Sequence, residues 1–325
     1  MTTRLALAVA AFCCPAAIRA ADSELLVLKS TLASKGVAGK LDHLAVDEKG
    51  ERLFLANKPN NTLDIFDLKT GKLVKQIADQ GKVSGVCYAA DLDVVYVGNG
   101  AGTCNAFDGK EYKLVFSAKA AGADNVHYHA GNKTVYVAHG TSLTELDAKS
   151  GAIKGAATLP GSAHGFSIDE AAGKIYVVLT KPSLIAVVDV AKRDVTDKFP
   201  LALGDGSPID RDPATNTLFV GCPKKPVVIA VDARTGKELY AVEIPAGIDD
   251  LHFDAKRNRL YASCSDGNLA VLEKKGEKFE VTSKLTTPKD SRTCVFAGGK
   301  LYLGVPRQDG AEGPEVRVFE PRSAK

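Results

Sequence analysis

VVYVGNG at residues 94–100 is an apolar run that ends abruptly at Gly98-Asn99-Gly100. Related segments recur along the chain: FLAN at 54–57, YVAH at 136–139, YVVL at 176–179, FVGC at 219–222 and YASC at 261–264. The aromatic residues of these segments, together with Tyr302, follow one another at intervals of 40 to 43 residues. A fixed period of this size is typical of repeat architectures, so VVYVGNG is one copy of a repeated unit.

Two further landmarks keep the same register. Turn-like segments such as FDLKTGK at 66–72 and VDARTGK at 231–237 follow the aromatic residue, and an aspartate often precedes it by seven residues. Each unit can be divided into four strands, a to d, with Gly supplying the positive φ of the hairpin between c and d. Strand b is apolar on both faces, as expected for a strand packed between two sheets. Four strands in about 40 residues are typical of β-propeller blades.

The sequence therefore predicts an all-β fold, a seven-bladed β-propeller of four-stranded antiparallel blades in a single domain over residues 21–325. The seventh unit ends after its third strand, whereas residues 23–33 resemble a strand without a strand a, b or c before it. We expect this N-terminal strand to complete blade seven and close the ring, which removes exposed sheet edges. The expected blades span residues 41–77, 83–118, 123–159, 163–200, 206–244, 248–285 and 291–321.

The first twenty residues resemble a cleaved signal peptide. Arg4 provides a positive start, Leu5 to Phe12 is apolar, and Ile18-Arg19-Ala20 resembles a cleavage site. Lipidation of one of the two adjacent cysteines is an alternative, although Phe12 fits a lipoprotein signal poorly. No stretch is long enough to span a membrane, so the pattern predicts a periplasmic or secreted protein.

The composition indicates a soluble globular protein with no strong charge bias. Without Arg4 and Arg19, basic and acidic residues are nearly equal in number, which argues against a nucleic-acid partner. Nothing in the pattern indicates an oligomer, and we expect a monomer. The odd number of cysteines after the leader leaves at least one thiol free, but pairing stays open among Cys87, Cys104, Cys222, Cys264 and Cys294.

The repeat segments YVGN, YVAH and FLAN, with D-x-x-T-G-K some seven to eleven residues later, resemble the YVTN-type β-propeller repeat of YncE-like exported proteins. This resemblance covers essentially the whole chain after the leader. It implies an extracytoplasmic seven-bladed propeller that acts in binding. Some members of the family bind single-stranded DNA, and distant seven-bladed relatives are lactonases, so the resemblance alone does not decide the activity.

Candidate site residues follow from the repeat alignment. In a propeller, strand a begins and strand b ends at one rim, around the mouth of the central channel. Polar residues at these positions differ between blades, whereas the apolar landmarks repeat, as expected for a site built on a repeating scaffold. Turn formation alone would explain Asp and Asn there, but not His or Arg. The candidates are Asp42, His43, Asn57, Asn99, Asp124, Asn125, His139, His164, Asp249, Asp250 and Arg292.

Three functions remain open from the sequence. The absence of a catalytic motif favours a binding or scaffold protein whose channel mouth holds a small molecule or a protein partner. The first alternative is a metal-dependent hydrolase of the lactonase kind, since several candidates offer oxygen and imidazole donors to a divalent cation. The second is single-stranded nucleic-acid binding, which requires a basic groove with stacking aromatic residues. No cofactor is evident. His127 and His129 have a spacing compatible with a metal, but rim or core histidines are the favoured interpretation.

Overall fold

The computed structural model describes residues 25–322, and within that range it consists of β-strands, connecting turns and one short 3-10 helix, Lys58–Asn60. The predicted signal peptide over residues 1–20 lies outside the described residues. The strands form seven four-stranded antiparallel sheets, so the predicted β-propeller is confirmed. No helix of the described part is long and apolar enough to cross a membrane.

Strand β1, Leu26–Ala33, precedes the first blade. The first three blades comprise β2 Leu44–Asp47, β3 Arg52–Asn57, β4 Thr62–Asp67, β5 Lys72–Ile77, β6 Val83–Ala89, β7 Val94–Asn99, β8 Thr103–Asp108, β9 Leu114–Lys119, β10 Asn125–His129, β11 Thr134–His139, β12 Ser142–Asp147 and β13 Ile153–Thr158. The next three comprise β14 Ala163–Asp169, β15 Lys174–Leu179, β16 Leu184–Asp189, β17 Asp194–Pro200, β18 Ile209–Asp212, β19 Thr217–Cys222, β20 Val227–Asp232, β21 Glu238–Glu243, β22 Ile248–Asp254, β23 Arg259–Cys264, β24 Asn268–Lys275 and β25 Lys278–Thr286. Blade seven contains β26 Thr293–Ala297, β27 Lys300–Val305 and β28 Glu315–Pro321.

The ring closes through the N-terminal strand. β1 pairs antiparallel with β28, with Leu26 opposite Pro321 and Ala33 opposite Glu315. The sheet order β1-β28-β27-β26 makes β1 the outer strand of blade seven. Leu26 and Leu32 are buried, so the strand contributes to the core as well as to the hydrogen-bond ladder. The predicted closure is therefore consistent with the observed sheet.

The second strand of each blade packs against both neighbours, and VVYVGNG illustrates why. Val95 and Val97 lie in an apolar cluster with Phe54 of blade one, whereas Tyr96 lies in a cluster with Val135 of blade three. None of the three β7 side chains is exposed. The Tyr96 hydroxyl donates a hydrogen bond of 2.7 Å to the carbonyl of Ala148 in blade three. The apolar run is therefore repeated because every blade has two sheet neighbours.

The turn between strands c and d has the expected chemistry. In blade one, the Asp67 carboxylate accepts a hydrogen bond of 2.7 Å from the Thr70 backbone N–H. The Asp67 carbonyl accepts one of 2.9 Å from Gly71, whose φ of 69° is costly for other residues. The aspartate and glycine of the repeat motif are thus explained by local turn geometry.

The inner strands of the seven blades surround the central axis. They contact one another in cyclic order, β2, β6, β10, β14, β18, β22 and β26, with β26 returning to β2. The five cysteines of the described part are free thiols, and all but the half-buried Cys87 are buried. The fold therefore depends on packing between blades and on closure of the ring.

Candidate functional site

A cavity of about 640 Å³ occupies the central channel and is lined by the inner strands of all seven blades. Eight of the eleven candidate residues from the sequence lie in its wall. These are Asp42, His43, Asp124, Asn125, His164, Asp249, Asp250 and Arg292. Their binding role stays a prediction, but their position around one cavity gives that prediction a physical site.

Several inner strands have an irregular pairing with strand b at their first residues, close to the candidate side chains. The pairing register shifts between Val83 and Val86, between Ala163 and Phe166, and between Ile248 and Asp250. An extra residue at such a shift bends the strand and changes the direction of its side chains. The shift in pairing explains how side chains of consecutive residues, such as Asp249 and Asp250, can both face the cavity.

Asp42 and Lys58 form the blade-one wall of the cavity mouth. The Lys58 ammonium lies 2.6 Å from the Asp42 carboxylate and also donates a hydrogen bond of 3.0 Å to the Ser84 hydroxyl of blade two. Burial opposes ionisation of Asp42, but the charges of His43 and Lys58 outweigh it and hold its pKa below the usual value. Asp42 is therefore a carboxylate at neutral pH, and one of its oxygens is already paired.

His43 connects the carboxylates of blades one and six. Its Nε2 lies 3.6 Å from Asp42, and its Nδ1 lies 3.7 Å from the Asp250 carboxylate. Burial by itself would lower the pKa of His43, but the carboxylates of Asp250, Asp42 and Asp124 outweigh it and raise this pKa to about 9. His43 is therefore an imidazolium at neutral pH.

Blades six and seven contribute a second ion pair. Arg292 Nη1 and Nε each lie 3.4 Å from a carboxylate oxygen of Asp249. Nε is buried and makes no hydrogen bond among the described residues in spite of this distance. Burial raises the pKa of Asp249 although Arg292 and His43 lower it. The Nε–H group thus belongs to the ion pair with Asp249 but has no hydrogen-bond partner among the described residues.

Asn125 and His164 complete the mouth. The Nδ2 amide of Asn125 is buried and has no hydrogen-bond partner among the described residues. The His164 ring lies with Nδ1 3.2 Å from the Ser207 hydroxyl, which orients the imidazole. The mouth therefore contains charged groups that form ion pairs, and also hydrogen-bond donors that have no partner among the described residues.

Three candidates lie away from the cavity. Asn57 donates a hydrogen bond of 2.7 Å to Asp64 in blade one. Asn99 donates one of 3.1 Å to Thr103 in blade two, and His139 Nε2 lies 2.8 Å from a threonine hydroxyl in blade three. None of the three belongs to the cavity lining. In these three blades the last residue of strand b reaches the rim of the propeller, but its side chain forms a hydrogen bond with strand c of the same blade.

Sequence reasoning missed several polar residues of the cavity, among them Lys58, Asp210, His252 and Cys294. Asp210 pairs with the aromatic residue of strand b in blade five, and His252 does so in blade six. His127 has the same pairing position in blade three. Comparing this position between blades would have identified Asp210 and His252. Lys58 follows strand b in a 3-10 turn that the other blades lack, so the repeat gave no indication of it.

The deeper carboxyls, Asp210 and Asp250, differ from Asp42 at the mouth. Asp210 accepts backbone hydrogen bonds of 2.7 Å from Arg211 and from Phe253, and burial raises its pKa. Burial raises the pKa of Asp250 to about 6, although His43 and His252 act in the opposite direction. Carboxyls in this part of the channel therefore hold protons more readily than exposed carboxyls do.

His127 faces the same channel from blade three. Its ring packs against Phe166 with centroids 4.4 Å apart in an edge-to-face arrangement. The side chain is exposed to the channel, but the surrounding protein wall desolvates the ring and lowers its pKa to about 4, and the neighbouring His43 and His252 act in the same direction. His129, the other histidine of this pair, is buried and lies 3.7 Å from Glu170. His127 is therefore a neutral imidazole at neutral pH.

The neutral state of His127 predicts a loss of stability in mild acid. Unfolded His127 takes up a proton near pH 6.5, whereas the folded residue does so only near pH 4. The unfolded state binds more protons between these values, so acidification through this interval favours unfolding. We expect His127→Gln to lose less stability than the wild type from pH 6.5 to 4, as measured by urea denaturation. The other groups titrate in both proteins, and equal losses would contradict the prediction.

The sequence matches no known family of proteins, and no curated protein is a significant relative. The resemblance to YVTN-type repeats therefore rests on the repeat segments themselves and stays a prediction. The seven-bladed propeller is established by the sheet topology.

Proposed function

We propose that this protein is an exported binding protein whose channel mouth holds a small molecule with a positively charged amino group and a hydrogen-bond acceptor. The observation that carries the proposal is the convergence of polar side chains from different blades on one cavity of about 640 Å³. A cavity of this size falls within the range of small-molecule sites. The general part of the proposal, a binding or scaffold role, is consistent with a β-propeller fold.

The charge balance of the cavity favours a cationic ligand. Five aspartates line it, whereas Lys58, Arg292 and the protonated His43 supply the positive charge. Carboxylates in a partly enclosed space attract a cation and repel phosphates. Single-stranded nucleic acid, the third possibility from the sequence, is therefore disfavoured at this mouth.

The unpaired donors favour a ligand that also accepts hydrogen bonds. Asn125 Nδ2 and Arg292 Nε are buried and have no hydrogen-bond partner in the part of the chain that the structure describes. A buried donor without a partner costs about 1–3 kcal/mol. A ligand oxygen beside either donor would satisfy it, while the amino group pairs with the carboxylates. Amino alcohols and amino acids have both features.

Thermal unfolding with a defined set of compounds tests the proposal. The set comprises ethanolamine, putrescine, lysine and arginine, with succinate and inorganic phosphate as anionic comparisons. We expect at least one cationic compound to raise the midpoint by about 2 °C or more at saturation, because a ligand stabilises the state that binds it. No shift with any cationic compound, or shifts with the anions alone, would contradict the proposal.

A matched pair of variants locates the effect. Arg292→Ala should weaken the shift produced by the bound compound, because it removes a donor to the ligand oxygen. Arg317→Ala is the control, since Arg317 has the same 26% side-chain exposure, pairs with Glu315 at 2.8 Å and does not line the cavity. Equal effects of the two variants would show that binding occurs elsewhere.

A metal-dependent hydrolase remains the second candidate, because the mouth offers carboxylate, amide and imidazole donors to one space. Assays of lactone hydrolysis with Ca²⁺ or Mn²⁺, after treatment with EDTA, separate the two functions. Metal-stimulated turnover that Asp42→Asn abolishes would favour the hydrolase. Ligand stabilisation without turnover would favour the binding protein.

A further inference from the structure

The floor of the cavity contains a compact group of possible metal ligands. Asp250 and His252 lie on the inner strand of blade six, and Cys294 lies on the adjacent inner strand of blade seven. One ligand atom from each residue lies within 4.8 Å of the other two. Residues i and i+2 of a strand share a face, which explains why Asp250 and His252 point the same way. We propose that these three residues bind a zinc ion.

The backbone already orients two of the three ligands. The Asp250 carboxylate accepts a hydrogen bond of 2.9 Å from the Cys294 N–H through Oδ2. His252 Nε2 lies 2.9 Å from the Cys294 carbonyl, which can only accept, so Nε2 carries the proton. In the neutral ring this leaves Nδ1 of His252 as the nitrogen with the lone pair that a metal would bind. Hydrogen bonds of this kind fix the tautomer and ring orientation of histidine ligands in metal sites.

The donor set selects the class of metal. A thiolate, an imidazole and one carboxylate suit zinc, whereas calcium and magnesium prefer oxygen ligands alone. With bonds of about 2.0–2.3 Å, ligand atoms around tetrahedral zinc lie roughly 3.5 Å apart. The separations of up to 4.8 Å therefore need to contract by about 1 Å, within the reach of side-chain torsions.

The fourth coordination position opens to the cavity. All three residues line the cavity wall, and His43 approaches the free oxygen of Asp250 at 3.7 Å from the mouth side. Three protein ligands with one open position distinguish reactive zinc sites from purely structural ones. The metal would therefore be accessible to a molecule in the channel. Apart from the shared Asp250, the metal site is independent of the proposed amine site.

Cobalt titration of the metal-free full-length protein tests the proposal. Bound cobalt should produce a sulfur-to-cobalt charge-transfer band that saturates at one equivalent, and zinc should displace it. Cys294→Ser should abolish the band. Cys222→Ser, which removes a fully buried cysteine in blade five, should leave it unchanged. A band that is absent from the wild type, or that survives in Cys294→Ser, overturns the proposal.

Two further variants separate metal loss from misfolding and from the amine site. His252→Gln keeps the thiol and should weaken cobalt binding at least 10-fold, since even the loss of a supporting group costs this much. Unchanged affinity in this variant would contradict the assignment of His252. Arg292→Ala should weaken amine binding but retain the cobalt band, so the failure of one proposal can be distinguished from the failure of the other.

Discussion

A chain that begins at Ser34, and therefore lacks β1, is expected to be insoluble or to unfold at much lower urea concentration than the full chain. The deletion removes the buried Leu26 and Leu32 and leaves β28 as an open sheet edge. Replacing one buried leucine by alanine costs about 2–5 kcal/mol. Whole domains are stable by only about 5–15 kcal/mol, so the loss of both leucines and a strand ladder takes most of that margin. Solubility and urea denaturation measure the effect.

The geometry of the closure provides a matched control. Leu26 lies opposite Pro321, and the Arg322 N–H donates a hydrogen bond of 2.9 Å to the Leu25 carbonyl. Residues 25–33 can therefore be fused after residue 322 through an Asn-Gly turn, which joins two antiparallel strands as a hairpin. This rearranged chain should regain solubility and most of the stability. A soluble truncated chain with an unchanged denaturation midpoint would contradict closure by β1.

Arg259→Met is expected to destabilise the protein by about 3–5 kcal/mol, because it leaves the partly buried Glu273 without its counter-ion. Arg259 lies in the second strand of blade six and is only 1% exposed. Its Nη2 lies 2.7 Å from Glu273, and its Nη1 donates to the carbonyl of Arg322 after the last strand. The guanidinium therefore links blade six to the closing blade. Urea denaturation of the variant and the wild type measures the change.

A double variant distinguishes the effect of breaking the Arg259–Glu273 ion pair from the effect of losing the Arg259 side chain alone. Arg259→Met with Glu273→Met removes both charges, and apolar replacement of a whole buried pair is often nearly neutral. We expect the double variant to be more stable than Arg259→Met alone. Additive losses would mean that the two side chains act independently, which the 2.7 Å separation argues against.

The repeat explains why so much of the fold could be predicted. Strand b needs apolar side chains on both faces because Val95 and Tyr96 contact different neighbouring blades. Each hairpin needs a residue with positive φ, as at Gly71. These requirements recur in every blade, so a single pattern recurs several times along the chain and identifies the architecture.

The sequence located the site less completely. The position of a residue in the repeat determines its level along the channel, which is how Asp124 and His164 were found. The repeat position does not determine which side chains of different blades meet in the channel. The contact between His43 of blade one and Asp250 of blade six, at 3.7 Å, depends on the curvature of the closed ring.

The sequence by itself determined the number of blades, the strand order and the rim at which polar residues collect, because these follow from local periodicity. Only the tertiary structure decided which polar groups meet. Asn99 of VVYVGNG bonds to Thr103 in its own blade, since the two residues lie opposite each other in the pairing of β7 with β8. His252 and Cys294 approach each other because neighbouring inner strands converge on the axis. Such contacts arise between different copies of the repeat, and no single copy contains them.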